Sequence, residues 1–159
     1  MATTIRLNAF DTASVNSAIA ELQQLRSEQD TKIQEICLDI AQTGAVRASL
    51  DFARTPYDGN KDVSLSVEAI PFGARLIASG SSVLFLEYGS GAKYGYGHPQ
   101  PNGYGPGTYN PLSDNWKNRN GWYYAHGQKS WGNPPAMAMW NAEQLMRDRA
   151  QDVMNGANV

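Results

Sequence analysis

From Ala13 to Gln42 the apolar residues recur three and four positions apart, the spacing of one face of an α-helix. Val15, Ile19, Leu22 and Leu25 make one run, and Ile33, Ile36, Cys37 and Ile40 make a second. A pattern this long commits a large part of the chain to one helix, which must lay its apolar side against something else. Asp11 or Thr12 is the expected cap, since either side chain accepts from the free amides of a first turn. Arg26 to Lys32 is polar all round, so a bend or break is expected there. Gly44 is the expected stop, and Thr43 to Phe52 reads as a short helical turn or an approach to the sheet. Ile5, Leu7 and Phe10, ahead of the helix, suit a short strand or an ordered arm.

After the Asp58-Gly59-Asn60 turn the period changes from helical to two. Val63, Leu65 and Val67 alternate with Ser64, Ser66 and Glu68, as in a half-buried strand. Ala74–Ser79 and the more continuous apolar run Ser82–Tyr88 read as two further strands, giving a strand meander over 62–88. Residues 89–134 hold most of the glycines and aromatics and exceed the usual loop length. Aromatic richness argues against disorder. Gly121 to His126 is expected to return to the sheet as a last strand. Pro134 and Pro135 open a final helix over 136–154, with Met139, Leu145, Met146, Ala150 and Val153 on or near one face. Residues 1–159 thus read as a single α+β domain. Its long N-terminal helix and its C-terminal helix pack on a small, mainly antiparallel sheet of three to four strands, with a long Gly/aromatic-rich loop.

Composition narrows the function. A formal net charge of −2, with no block of one sign, disfavours a protein built to grip phosphates. The first ten residues resemble neither a signal peptide nor an anchor, and no apolar run is long enough for a bilayer span. Only 18% of residues are charged, which suits a subunit with much of its surface covered by neighbours.

Catalysis and cofactors have no specific signal. Cys37, the single cysteine, occupies an apolar helical position and reads as a core thiol. His98 and His126 read as surface histidines, and two histidines alone are a weak metal site. Glu87 and Asp114 can be drawn as a glycosidase pair, but nothing in the spacing demands it. A structural Glu87 paired with an arginine of this or a neighbouring chain fits better. The glycines in residues 94–107 lack both the Lys-Ser/Thr ending of a phosphate loop and the strand–turn–helix setting of a dinucleotide site.

The aromatic loop is the candidate interface, through Tyr88, Tyr94, Tyr96, Tyr104, Tyr109, Trp116, Trp122, Tyr123, Tyr124 and Trp131. Three partner classes compete. Tyr and Trp supply contact area at low entropic cost for assembly. The same rings stack on sugars, and they stack on single-stranded bases where cations are interleaved. Here only Lys93, Lys117, Arg119 and Lys129 are at hand. Packing of the aromatics on one another, as a mini-core, is compatible with assembly.

Three stretches carry a resemblance: Thr43-Gly44-Ala45-Val46-Arg47-Ala48-Ser49, Phe85-Leu86-Glu87-Tyr88-Gly89-Ser90-Gly91 and Asn133-Pro134-Pro135-Ala136-Met137. In this order they are similar to the pattern of the tailed-bacteriophage head–tail connection proteins, the tail-completion or neck family. Some branches of that family also carry an insertion with Gly-Trp-Tyr-Tyr, here Gly121 to Tyr124. Members often have Pro-x-Asp before the first stretch, where this chain has Ile40-Ala41-Gln42. The resemblance implies a non-enzymatic virion protein, assembled in the host cytoplasm, without cofactor. It implies a homo-oligomeric ring, hexamer or dodecamer, around the DNA channel, meeting a head-side connector and tail proteins. DNA would pass without sequence-specific binding, and no membrane is involved. The alternative is a carbohydrate-binding or adhesion module of a phage particle.

Overall fold

The computed structural model describes residues 11–57, 59–94, 97–99, 117–123 and 127–156. Helix α1, Thr12–Arg54, is a single helix of 43 residues, about 65 Å long at 1.5 Å per residue. Asp11 is its cap, accepting from the Ala13 amide at 3.1 Å. The polar middle does not break it. Side chains four apart support each other there: Gln24 donates to Glu28 at 3.0 Å, and Arg26 lies 3.9 Å from Asp30.

Gly44 does not stop the helix either. It is buried where helix α4, Ala138–Met154, crosses α1, and a Cβ there would lie 2.6 Å from the Met146 sulfur. The glycine provides room for a close helix–helix approach. The stop comes at Thr55-Pro56, because proline pushes the residue before it out of the helical region. Thr55 is extended at φ −68°, ψ 128°, and both its amide and its hydroxyl donate to the Asp51 carbonyl. The Lys61 ammonium adds a bond of 2.7 Å to the Ala53 carbonyl, at the negative end of the helix.

Strands β1, Ser64–Ile70, and β2, Gly73–Ser79, form an antiparallel hairpin with Ile70 opposite Gly73. Leu65 and Val67 are half-buried while Ser64, Ser66 and Glu68 face out, as the alternation requires. The expected third strand is a helix: α2 spans Val83–Tyr88. A short apolar run has no period that separates a buried strand from a buried helix, so neighbouring contacts decide. Asp62 accepts from both the Ser81 amide and hydroxyl at 2.9 Å, and the Ser82 hydroxyl donates to the Asp62 carbonyl at 2.8 Å. Gly80, at φ +139°, makes the exit, and a Cβ there would run into the Asp62 carbonyl oxygen. The chain therefore leaves the hairpin and turns Leu86 fully into the core.

The meander of three strands is thus a hairpin of two followed by a helix. A four-residue helix, α3, Gly91–Tyr94, comes next. Trp122–Tyr123, β3, pairs with Lys129–Ser130, β4, in a second two-stranded antiparallel sheet and does not join the hairpin. The expected return to one sheet of three to four strands is corrected, among the described residues, to two separate sheets of two. The α+β class holds. Helix α4 begins at Ala138, two residues beyond the expected start, after Met137 in the left-handed region at φ +51°.

The core is Ala48 and Phe52 of α1, Leu86 of α2 and Ala138 and Ala142 of α4, with Val63, Leu65, Leu76 and Val83 against it. Alanines at the helix crossing let α1 and α4 pack closely, and Asn141 donates to Asp51 across it at 2.8 Å. Met139, Leu145, Met146, Ala150 and Val153 are half-buried around that seam. Cys37 is half-buried on α1. Among the described residues no helix is long and apolar enough to cross a membrane.

Candidate functional site

The first turn of α4 has amides with no partner inside the helix, and the segment before it offers no side-chain cap. The cap comes from α2. Glu87 Oε2 accepts from the Met139 amide at 2.9 Å and Oε1 from the Trp140 amide at 3.0 Å. A carboxylate is well placed there, since the helix N-terminus carries partial positive charge. The Leu86 and Glu87 carbonyls accept from the Ala136 and Met137 amides at 2.7 and 3.3 Å, so side chain and backbone of α2 both hold the entry to α4.

His98 completes the node, with Nε2 3.1 Å from Glu87 Oε1. The two side chains are only 5% and 6% exposed. The His98 ring lies 4.4 Å from the Tyr88 ring and edge-on to Trp140 at 6.2 Å. His98 is therefore no surface histidine, and Glu87 is structural but paired with an imidazole and two amides, not with an arginine. Both carboxylate oxygens are occupied, which suits holding more than proton transfer.

A second set of bonds joins the same segments. The Asn133 amide side chain donates to the Phe85 carbonyl at 2.8 Å, and the Ser90 amide donates to the Asn133 carbonyl at 2.9 Å. The Ser90 hydroxyl donates to Asn133 Oδ1. The stretches Phe85–Gly91 and Asn133–Met137, far apart in sequence, thus form one structural unit. Thr43–Ser49 contributes Ala48 to the core beside it.

The aromatic residues divide by exposure. Tyr88 is half-buried against His98, and the Trp122 ring lies against the backbone of Gly91. Tyr94 is half-buried with the Lys93 ammonium 4.8 Å from its ring centre. Tyr123 and Trp131 are 66% and 46% exposed on the β3–β4 ribbon. The Lys129 ammonium lies 5.8 Å from the first ring and 4.9 Å from the second, within cation–π range. One part of the aromatic set therefore packs inward and another faces out. Tyr96, Tyr104, Tyr109, Trp116 and Tyr124 lie outside the described residues, as do Asp58, Asp114 and His126.

Trp140 belongs to the node and has no place in the expected interface. Its position just inside the last helix, five residues after Pro135, was the available signal. Among the described residues no group of three His, Cys, Asp or Glu side chains is placed to hold a metal ion. No family model, curated protein or solved structure matches the chain.

Proposed function

We propose that the chain is a non-enzymatic structural subunit of a tailed-phage particle, one that joins head to tail around the DNA channel. The observation that supports this reading most is the meeting of Phe85–Gly91 with Asn133–Met137 through Glu87 and Asn133. Two of the stretches that carry the resemblance are the two that interlock, and the third packs on the same core. The three stretches thus meet in one part of the fold.

In this account the node carries no chemistry. It holds the start of α4, while the β3–β4 ribbon lies against Gly91 through Trp122, and the ribbon's outward Tyr123 and Trp131 offer an aromatic surface for a neighbouring subunit, connector or tail protein. Subunits meeting through different surfaces form a ring when the rotation between them closes. The near-neutral charge balance lets a duplex pass without strong phosphate contacts. The carbohydrate-binding alternative draws on the same two exposed rings.

The test is a joining assay. Heads and tails are purified from a phage that does not make this chain, and joined particles are counted after adding it. Joining that depends on the chain, and falls with Tyr123→Ala or Trp131→Ala, supports the proposal. Joining that proceeds without the chain refutes it. A tryptophan fluorescence shift on glycan titration would favour the alternative.

A further inference from the structure

The hairpin and α4 hold α1 along its C-terminal part. Gln34 donates to the Gly73 carbonyl at the hairpin end, Gly44 meets Met146, and Asp51 accepts from Asn141. Ahead of Gln34, the stretch from Thr12 to Ile33 runs about 33 Å at 1.5 Å per residue. Ala18 is the one buried residue in that stretch. Ile19, Leu22 and Ile33 are 48%, 56% and 46% exposed, and Ile36 just beyond is 41% exposed. Most helical stability in proteins comes from packing an apolar face, and here that face lies open.

The exposed residues belong to one seam. Val15, Ile19 and Leu22 stand four and three apart, and Ile33, Ile36 and Ile40 three and four apart. Arg26 and Gln29 continue the same alternation between them. This is the seven-residue repeat of a coiled coil, the pattern that keeps a seam facing a partner helix along its whole length. The seam also reads the same from either end: three apolar residues, Arg26 and Gln29, three apolar residues. A helix laid antiparallel on a copy of itself therefore matches at every layer. Val15 meets Ile40, Ile19 meets Ile36, Leu22 meets Ile33 and Arg26 meets Gln29. In a parallel pair in register Arg26 would face Arg26. A slip of one heptad would bury Arg26 against Leu22 or Ile36 without a polar partner.

We infer that α1 pairs with α1 of a second copy as an antiparallel two-stranded coiled coil, centred between Arg26 and Gln29. The occupant is a second copy because the seam is complementary to its own reverse, and because that register keeps the two Arg26 cations out of opposition. Burying a Val, Leu or Ile side chain removes roughly 60–120 Å² of apolar surface. With six such residues on each helix, the pair buries about 700–1,400 Å², against the roughly 1,000 Å² of a specific interface. The contact is isologous and closes at two copies. It is separate from the ring contacts and the aromatic surface of the proposed function, and rests on neither.

Analytical ultracentrifugation of the full chain over a wide concentration range tests the pairing. The wild type is expected to pass from the mass of one chain to that of two as concentration rises. Ile19→Ser and Leu22→Ser, both at exposed positions, should keep the near-ultraviolet circular dichroism of the packed fold and weaken the dimer by about ten-fold or more. Gln29→Glu sets a carboxylate opposite Arg26 in the antiparallel pair, but opposite another carboxylate in a parallel one. It should tighten the dimer by about ten-fold. A wild type that is monomeric throughout, its seam open or covered by residues 1–10, would overturn the pairing. So would a first assembly larger than two, a dimer that Leu22→Ser leaves unchanged, or one that Gln29→Glu fails to tighten. The joining assay decides the proposed function whichever result is found.

Discussion

Glu87 Oε1 accepts the backbone amide of Trp140 at 3.0 Å, across a separation of 53 residues. An N-cap is usually supplied by the residue next to the helix. Here the local position holds Met137, which caps nothing, and a carboxylate from another helix takes over. The start of α4 therefore exists as drawn only when α2 is in place, which makes the two helices cooperative.

Removing that carboxylate leaves two buried amides without their acceptor and takes one partner from the His98 imidazole. Glu87→Ala is expected to lower stability by about 2–4 kcal/mol, the range for leaving buried donors without a charged acceptor. Glu87→Gln keeps one acceptor oxygen and should lose about half as much. Urea titration with circular dichroism measures both, and a loss for Glu87→Ala below about 0.5 kcal/mol would contradict the remote cap.

Gly44 should show a sign reversal. In an open helix Gly→Ala gains about 1 kcal/mol. Here the added Cβ meets the Met146 side chain, and overpacking costs about 1–3 kcal/mol. Gly44→Ala is expected to destabilise the wild type and to stabilise the Met146→Ala variant. Additive effects in the double-mutant cycle would rule out the contact.

Asp62 supplies a pH dependence. Hydrogen bonds from the Ser81 amide and then its hydroxyl hold its carboxyl below the usual carboxylate range. A lowered folded-state value adds stability that is fully present above the unfolded value of about 3.9 and lost as pH falls through the folded one. Asp62→Asn should therefore be less stable than the wild type at pH 6, and the gap should close below about pH 4. Urea midpoints over that range read it, and a gap constant with pH would contradict the assignment.

The aromatic residues should separate into two classes. Tyr123→Ala and Trp131→Ala, at exposed positions, are expected to change stability by less than about 0.5 kcal/mol while reducing head–tail joining. Trp122→Ala, which uncovers Gly91, is expected to cost about 1–2 kcal/mol. Thermal melts beside the joining assay distinguish the classes.

Periodicity made α1, the hairpin and α4 legible, because each is long enough to repeat its pattern. Three features escaped it. Val83–Tyr88 is too short and too uniformly apolar to show a period, and its helix is set by Asp62, Ser81 and Ser82. Gly44 looked like a terminator because a glycine that makes room for Met146 and one that ends a helix read alike in sequence. The Glu87–His98 node joins residues on different elements, so no local spacing announces it. Composition marked the aromatic segment as a surface, but which rings turn outward depends on the pairing of Trp122–Tyr123 with Lys129–Ser130.

The most direct measurement is the position of the chain in the mature particle. Electron microscopy of particles carrying an epitope-tagged copy, labelled with gold, locates it. Label at the head–tail junction is the result expected. Label at the distal tail or its fibres, or no label on assembled particles, would contradict the junction reading.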